Sequence, residues 1–597
     1  MKFLINTLEE VDNAFWNTRD RRYFSTDTET KGLGFEDDLF SIQIADAEHE
    51  YYFNFNDYEK GPHLPLSEAS SIMQPFFDRP ATWFIHNAKF DMIKLRRAGI
   101  EIVGDVHCTQ QMERLVRNNY FQYSLDACLK RRGRAKNDEV KAYITEHKLY
   151  THVMNEIKGK KEKNLHYDRV PLDLMFKYGC DDVRDCFDLG MEQVKLFSSL
   201  YRPEFIDNER KLTKACFEME WEGVSIDKKY VQEAIDYEQE IKNQKFIEIS
   251  TLSDRKFENG PIWLEAEFKK QGIPYWRNPK TGNPVFDKKS LGRIKNPLIE
   301  AILDFRHSDK LISTYYKNFL YLADSNGKLH ANIRTDGTDT GRFSYWSPNL
   351  QNCAKDDEDE SKYTVRSCLV PDGLEYCFAS TDYCQMEYAI MADYANEKYL
   401  IEAMNDGEDV HQATADLLGV TRKQAKTLNF LLLYGGGAAK LADALGVPVH
   451  EGKQIKDLYF HKLPRVKKFI YDVINTAKAR MYVFNAYGRR YHIDNTNFAY
   501  KMPNYLIQGT CADIMRHALV KAHAYIRGTR SSLKITIHDE LLVQLHKDEL
   551  YLSKEIARIM EEEYKPRNGI KLKTDTAYSW KSFSKRDLIK GEPNVIF

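Results

Sequence analysis

The sequence predicts a multidomain α/β protein, and three observations point there. Its 597 residues exceed what one hydrophobic core holds and suggest roughly three to five folding units. Over the first two hundred residues short strand patterns alternate with longer helical ones. From about residue 202 long helical patterns take over, and beyond Leu329 short strands and helices alternate again.

In order along the chain, residues 22–28, 39–45 and 50–55 read as successive strands, and 82–85 as a further strand leading into a helix, together an α/β unit with a mixed sheet. Residues 202–248 space apolar side chains regularly among charges, as long helices do. Residues 260–297 are punctuated by Gly and Pro, and 298–322 are helical again. The apolar run 376–381 reads as a strand, 422–434 as a helix and 533–545 as a hairpin. No internal repeat or low-complexity segment is present, and a domain boundary is expected near 195–205.

Composition narrows the classes. With 42% hydrophobic and 29% charged residues the chain has the make-up of a soluble enzyme. No stretch approaches the roughly 20 apolar residues of a membrane span, and Met1 to Asp20 carries Glu9, Glu10 and Asp12 in place of a signal pattern. A cytoplasmic location and no membrane partner are expected. Ten cysteines without C-x-x-C spacing argue against a zinc site and a disulfide framework. A net charge of −2 leaves any nucleic-acid contact to segregated charge. Three basic clusters exist, at 130–136 (Lys130, Arg131, Arg132, Arg134, Lys136), 158–163 and 462–468, each read evenly as solvated surface or as a contact; the acidic run 356–360 reads as an exposed loop.

Two aspartates carry most of the functional information. Asp382 ends the strand pattern 376–381 and Asp539 sits at the hairpin tip, and carboxylates delivered from two strand ends are what two-metal phosphoryl transfer requires. Between them Arg422, Lys426, Phe430 and Tyr434 recur at four-residue spacing. On a helix that spacing makes one slanted stripe of two cations and two rings, suited to a nucleoside triphosphate.

The segments 382–387, 422–435 and 538–540 resemble the three polymerase motifs of family A DNA polymerases, the DNA polymerase I family. Thr340-Gly341-Arg342-Phe343-Ser344 with 348–352, Asp409-Val410-His411, Gly488-Arg489-Arg490 and 508–513 follow in the family's order. The resemblance implies a right-hand polymerase with thumb about 205–330, palm about 331–400 and 500–597, and fingers about 400–500. It implies that Asp382 and Asp539, with Tyr383, take two Mg²⁺ ions, for which Mn²⁺ can substitute. Arg422, Lys426 and His411 would contact the triphosphate, with Lys426 also protonating pyrophosphate; Tyr383 and Gln385 join the nucleotide set. Glu387 and Tyr434 would exclude a 2′-OH, so that dNTPs are the substrate, and Phe430 implies poor use of dideoxynucleotides. Arg342 and Gln508 would face the minor groove at the primer terminus, where every correct pair presents acceptors. His538 and Asn352 belong to the DNA set. Arg489, Arg490 and Asn504 join it, with a structural role equally open. Cys384, Leu431 and Tyr500 depart from the family's usual Ser, Gly and Arg.

Near the amino terminus, period-2 geometry puts Asp27 and Glu29 on one strand face. Asn87 and Asp91 lie one helical turn apart after the strand 82–85, as do Tyr178 and Asp182 later; Asp181 rivals Asp182 but lacks the i, i+4 spacing. Four carboxylates together are unstable without cations, and oxygen ligands select Mg²⁺ or Mn²⁺. The pattern resembles the 3′-5′ proofreading exonuclease that accompanies the family, of ribonuclease H-like fold over 1–200. There Asp27, Glu29, Asp91 and Asp182 hold two metals and Tyr178 orients the attacking water.

The expectation is a monomeric, template-directed DNA polymerase with proofreading, acting on primer-template DNA and dNTPs and without a preceding 5′-nuclease domain. The compact form looks like a bacteriophage replicative enzyme, working in the host cytoplasm with a primase-helicase and a single-stranded DNA-binding protein as candidate partners. The alternatives are a single-subunit RNA polymerase, a bacterial repair polymerase lacking the 5′ nuclease, and a non-catalytic DNA-binding protein.

Overall fold

The computed structural model describes residues 1–58, 61–155, 160–335, 337–353, 361–433 and 435–591. Its amino-terminal part is a six-stranded mixed sheet: β1 (Lys2–Ile5), β2 (Tyr23–Thr30), β3 (Leu39–Ala45), β4 (Glu50–Asn54), β5 (Thr82–Ile85) and β6 (Asp105–Cys108), in the order β1-β4-β3-β2-β5-β6. β2, β3 and β4 pair antiparallel as a meander, while β1 joins β4, β5 joins β2 and β6 joins β5, all in parallel. All of β3 is buried, which explains its unbroken apolar character. The four strands expected from sequence are present. β1 and β6 were not expected; each is four residues long, too short for a periodic signal.

Among the helices that flank this sheet are α1 (Ala88–Arg97), α2 (Thr109–Val116) and the 29-residue α3 (Leu172–Leu200). α3 lies on the sheet through Gly179 and Gly190; a Cβ at Gly190 would stand 2.3 Å from the Phe84 ring. The chain breaks at Tyr201-Arg202 and re-enters helix at Pro203, with Pro in the first turn where its missing N–H is harmless, to form α4 (Pro203–Glu222). α4 belongs to two cores. Phe217 joins the amino-terminal core, whereas Leu212, Cys216 and Met219 join the larger core beyond.

Lys228–Ser253 and Pro297–Lys310 pack side by side, the latter continuing through a π-turn into Lys317–Leu322. The large core surrounds an antiparallel sheet of β7 (Tyr376–Tyr383), β8 (Ser532–Ile537), β9 (Glu540–His546), β10 (Thr574–Ser579) and β11 (Ile589–Lys590), ordered β8-β9-β7-β10-β11. The long α7 (Met502–Ile526), buried on most sides, packs on β8 and on α5 (Met386–Ala395), while α6 (Arg422–Leu433) packs on the helix Val410–Leu418. Among the described residues no helix is long and apolar enough to cross a membrane.

Candidate active sites

Asp27 and Glu29 alternate along β2 opposite Gln43 and Ser41 of β3, and so share one face. β5 leads into α1 through Asn87 in the left-handed region (φ 62°), a conformation Asn tolerates, and this sets Asp91 in the first helical turn. Asp91 is buried, its Oδ1 accepting the Thr28 N–H at 3.0 Å and hydroxyl at 2.7 Å, which ties it to the β2 residue that lies between Asp27 and Glu29 in sequence. Asp182 and Tyr178 project one turn apart from α3. Asp27, Glu29, Tyr178 and Asp182 line one cavity of about 410 Å³.

Burial, and then the neighbouring carboxylates, push these acids up: Asp27 to about 7, with Glu29 and Asp91 also raised. Burial raises Asp182 as well, although Lys136 opposes it. The Lys136 ammonium stands 2.5 Å from Asp182 Oδ2 and 5.0 Å from the Tyr178 ring centroid. Burial works against the charge of Lys136, but Asp182, Asp27 and Glu29 outweigh it and raise its pKa. Among the described residues no three His, Cys, Asp or Glu side chains stand at metal-holding spacing; here Lys136 supplies the positive charge. Asp182 Oδ1 is buried and accepts no hydrogen bond. Asp181 is engaged elsewhere, 2.5 Å from Lys2 and 3.2 Å from Asn137, which removes it as a rival.

Sequence reasoning missed Lys136 as a site residue because it sat in a basic cluster. The structure divides that cluster by partner: Arg131 and Arg132 pair with Glu113, Arg134 with Asp185 and Asp188, and Lys136 with Asp182.

In the carboxy-terminal part the register of β7 sets Asp382 opposite Glu540 of β9 and Asp575 of β10, so three carboxylates share that face. The β8–β9 turn, with His538 left-handed (φ 57°), carries Asp539 beside the end of β7, where the Tyr383 N–H donates to the Asp539 carbonyl at 3.2 Å. Two residues 157 positions apart in sequence (539 minus 382) are thereby held together. Burial pushes the Asp539 carboxyl up to about 6; Arg342 opposes this while Glu387 and Glu540 add to it. The Tyr383 side chain is buried, its hydroxyl donating to the Met560 carbonyl at 2.5 Å, so only its backbone faces the site.

Gln385, left-handed at φ 52°, starts α5 and places Glu387 in its first turn, where it forms an ion pair with Arg342. Both line a crevice with Asp539 and His538. On α6 Ala425, Leu428, Asn429, Leu432 and Leu433 face the core and Arg422, Lys426 and Phe430 face outward, Phe430 with 38% exposure. The expected stripe therefore exists for its first three members; Tyr434 lies outside the described residues. Asp409 caps the helix Val410–Leu418 through the His411 and Gln412 N–H groups and takes Arg422 Nε at 3.1 Å on its other oxygen. Asn429 Nδ2 donates to His411 Nδ1 at 3.0 Å, and burial lowers the His411 pKa, keeping the ring neutral. The His411 and Phe430 rings are 5.7 Å apart.

The remaining DNA candidates divide. Arg489 is 4% exposed and locked to Asp513 and Glu209 at 2.6 Å each, so it is a structural residue and not a DNA contact. Arg490 is half-buried over the Tyr482 and Phe484 rings, and Asn504 has its Oδ1 buried without a partner. Gln508 is half-buried on α7, Asn352 is exposed, and His538 is exposed at the turn.

Residues 229–583 match the family described as DNA polymerase family A. The chain belongs to that family. Residues 3–189 match a 3′-5′ exonuclease, so an exonuclease domain of mixed α/β fold precedes the family A polymerase domain. The chain is 30% identical to the DNA polymerase I of Helicobacter pylori over 88% of its own length and 59% of that protein's. It is 27% identical to the DNA polymerase DpoZ of Acinetobacter phage SH-Ab 15497 over 92% and 94% of the two lengths. It thus spans about three fifths of the bacterial relative and nearly all of the phage one. The fold matches the POL domain of Pol1 from M. smegmatis, solved in complex with DNA primer-template and dNTP, with a TM-score of 0.78 and 20% identity, over 97% of this chain and 99% of that one.

Proposed function

We propose that this chain is a template-directed DNA polymerase that extends a primer 3′-hydroxyl with dNTPs, releases pyrophosphate and proofreads with a 3′-5′ exonuclease. The observation that carries the reading is the approach of Asp539 to the Asp382 strand end through the Tyr383 N–H, in a chain whose helix α6 turns Arg422, Lys426 and Phe430 outward. In this reading the thumb spans about 205–330, the palm 331–400 and 500–597, the fingers 400–500, and the exonuclease 1–200.

Both acid clusters suit hard divalent cations. Their donors are carboxylate oxygens, mutual repulsion and burial hold Asp27, Glu29, Asp91 and Asp539 above ordinary carboxylate values, and Asp182 Oδ1 is an orphaned acceptor. Asp382, Asp539 and the Tyr383 carbonyl would hold such ions in one domain, Asp27, Glu29, Asp91 and Asp182 in the other. When bound, Mg²⁺ supplies charge neutralisation for the attacking and leaving oxygens. The protein does the positioning. Arg422 and Lys426 bind the triphosphate, Lys426 being placed to give pyrophosphate its proton, and neutral His411, fixed by Asn429, donates through its free ring nitrogen. Glu387 crowds the sugar's 2′ position, and Arg342 and Gln508 offer donors to the minor groove. In the nuclease, Tyr178 orients the water over Asp27 and Glu29. The similarity to the phage polymerase DpoZ supports a phage replicative role.

The test is extension of a labelled primer on a single-stranded template with Mg²⁺ and dNTPs, rNTPs or no nucleotide. Growth is expected with dNTPs alone and is lost in Asp382→Ala; shortening without nucleotide is expected and is lost in Asp27→Ala. Growth with rNTPs would replace this reading with an RNA polymerase.

A further inference from the structure

Helix α2 of the exonuclease domain presents Gln111 and Arg114 one turn apart, and Asn118 follows just past its end, after the extended Arg117. This stretch abuts the polymerase segment Thr338 to Arg342, which displays Arg342. Asn118 is 2% exposed; its Nδ2 donates to the Asp339 carbonyl at 2.9 Å and its Oδ1 accepts the His492 N–H at 2.8 Å. Arg114 reaches Asp339 Oδ1 at 3.4 Å and also bonds the Asn118 carbonyl. Asp339 Oδ2 takes the Tyr505 hydroxyl at 3.2 Å, and Tyr505 lies one turn before Gln508 on α7.

A second thread runs in parallel. Gln111 Nε2 donates to Glu209 Oε2 at 2.9 Å, Glu209 pairs with Arg516 at 2.5 Å, and Arg516 Nε donates to the Gly341 carbonyl at 3.0 Å. Gly341 is left-handed (φ 85°) and immediately precedes Arg342. Two points just before Arg342 are thus tied to this stretch of the other domain, Asp339 directly and Gly341 through Arg516 and Glu209.

We infer that this stretch of the exonuclease domain, with Asn118 at its centre, positions the polymerase's primer-terminus contacts Arg342 and Gln508. Asn118 is a positioning residue acting through Asp339. The inference rests on the minor-groove reading of Arg342. A buried amide lost from such a seam leaves an acceptor and a donor unsatisfied at once, which loosens the segment without unfolding either core.

The experiment uses full-length protein carrying Asp27→Ala to silence the nuclease, and compares Asn118→Ala, Arg342→Ala and the pair for extension of matched and mismatched primer ends. Expected are about a tenfold fall in kcat/KM on matched ends for Asn118→Ala, no further fall when it is added to Arg342→Ala, and an unchanged melting temperature within a few degrees. Non-additivity separates positioning from general weakening, because independent losses multiply. Parental kinetics for Asn118→Ala with an impaired Arg342→Ala, or losses that multiply, overturn the inference alone. An Arg342→Ala protein extending matched and mismatched ends like the parent overturns the reading of Arg342 and the inference with it. If Asn118→Ala is misfolded, Asp339→Asn, which keeps the carbonyl and releases Arg114, takes its place in the same cycle with the same outcomes.

Discussion

At the scale of single residues the two reactions separate cleanly. Asp539→Asn should lower primer extension by about 10³-fold or more, because charge placed where the transition state develops it is the largest single contribution such sites make; shortening of single-stranded DNA by the same protein should stay at the parental rate. Glu387→Ala should raise rNTP incorporation relative to dNTP by about 10²-fold, as removing a wall loses the clash and the unsatisfied hydroxyl together. A steady-state comparison of the two substrates checks this, and an unchanged ratio would remove Glu387 from the sugar pocket. Arg489 teaches the opposite lesson. In sequence it is a cation in a basic pair, but its carboxylate partners Asp513 and Glu209 turn it inward. Nothing local distinguishes it from Arg490.

Among elements, strands and helices with a strong period were legible. The ends of β7 and the β8–β9 turn could be read because apolar runs stop at an acid, and the α6 stripe because four-residue spacing survives folding unchanged. Short strands and the Lys136 contact were not legible. Four residues carry no period, and Lys136 meets Asp182 across 46 positions (182 minus 136). The threads through Asn118 and Glu209 were equally hidden, since their partners stand 221 and 280 residues away and polar pairing leaves no pattern in either segment. Packing of α7 against the 482–484/490–492 hairpin gives an element-level test. A Cβ at Gly509 would stand 1.9 Å from the Tyr491 hydroxyl, which donates to the Thr340 carbonyl at 3.2 Å. Gly509→Ala should cost about 1–3 kcal/mol of stability from overpacking, measured by denaturant titration, and should lower extension more than nuclease activity.

Over the whole molecule, Glu209 takes a hydrogen bond from Gln111 of the exonuclease domain while pairing with Arg489 and Arg516 of the polymerase domain. Burial alone would raise its pKa, but Arg516 and Arg489 overcome this and bring it to about 2, against 4.5 for an ordinary Glu. A depressed carboxylate stabilises the fold above its unfolded pKa and loses that contribution as pH falls through the folded value. The seam's contribution, of order 3 kcal/mol, is therefore complete above about pH 4.5 and gone near pH 2. Thermal melts between pH 5 and 2 should show a steeper loss in the parent than in Glu209→Gln; parallel curves would mean that other groups govern acid unfolding.

The break at Tyr201-Arg202 looks like a natural place to cut, yet α4 straddles two cores and carries Glu209 just beyond it. A fragment beginning there would retain the arginines and lose Gln111 and the α2 face, leaving the segment before Arg342 without a backstop. In evolutionary terms the proofreader is ballast that cannot be jettisoned: a lineage that discards nuclease chemistry by losing its carboxylates should still inherit the helix behind Arg342.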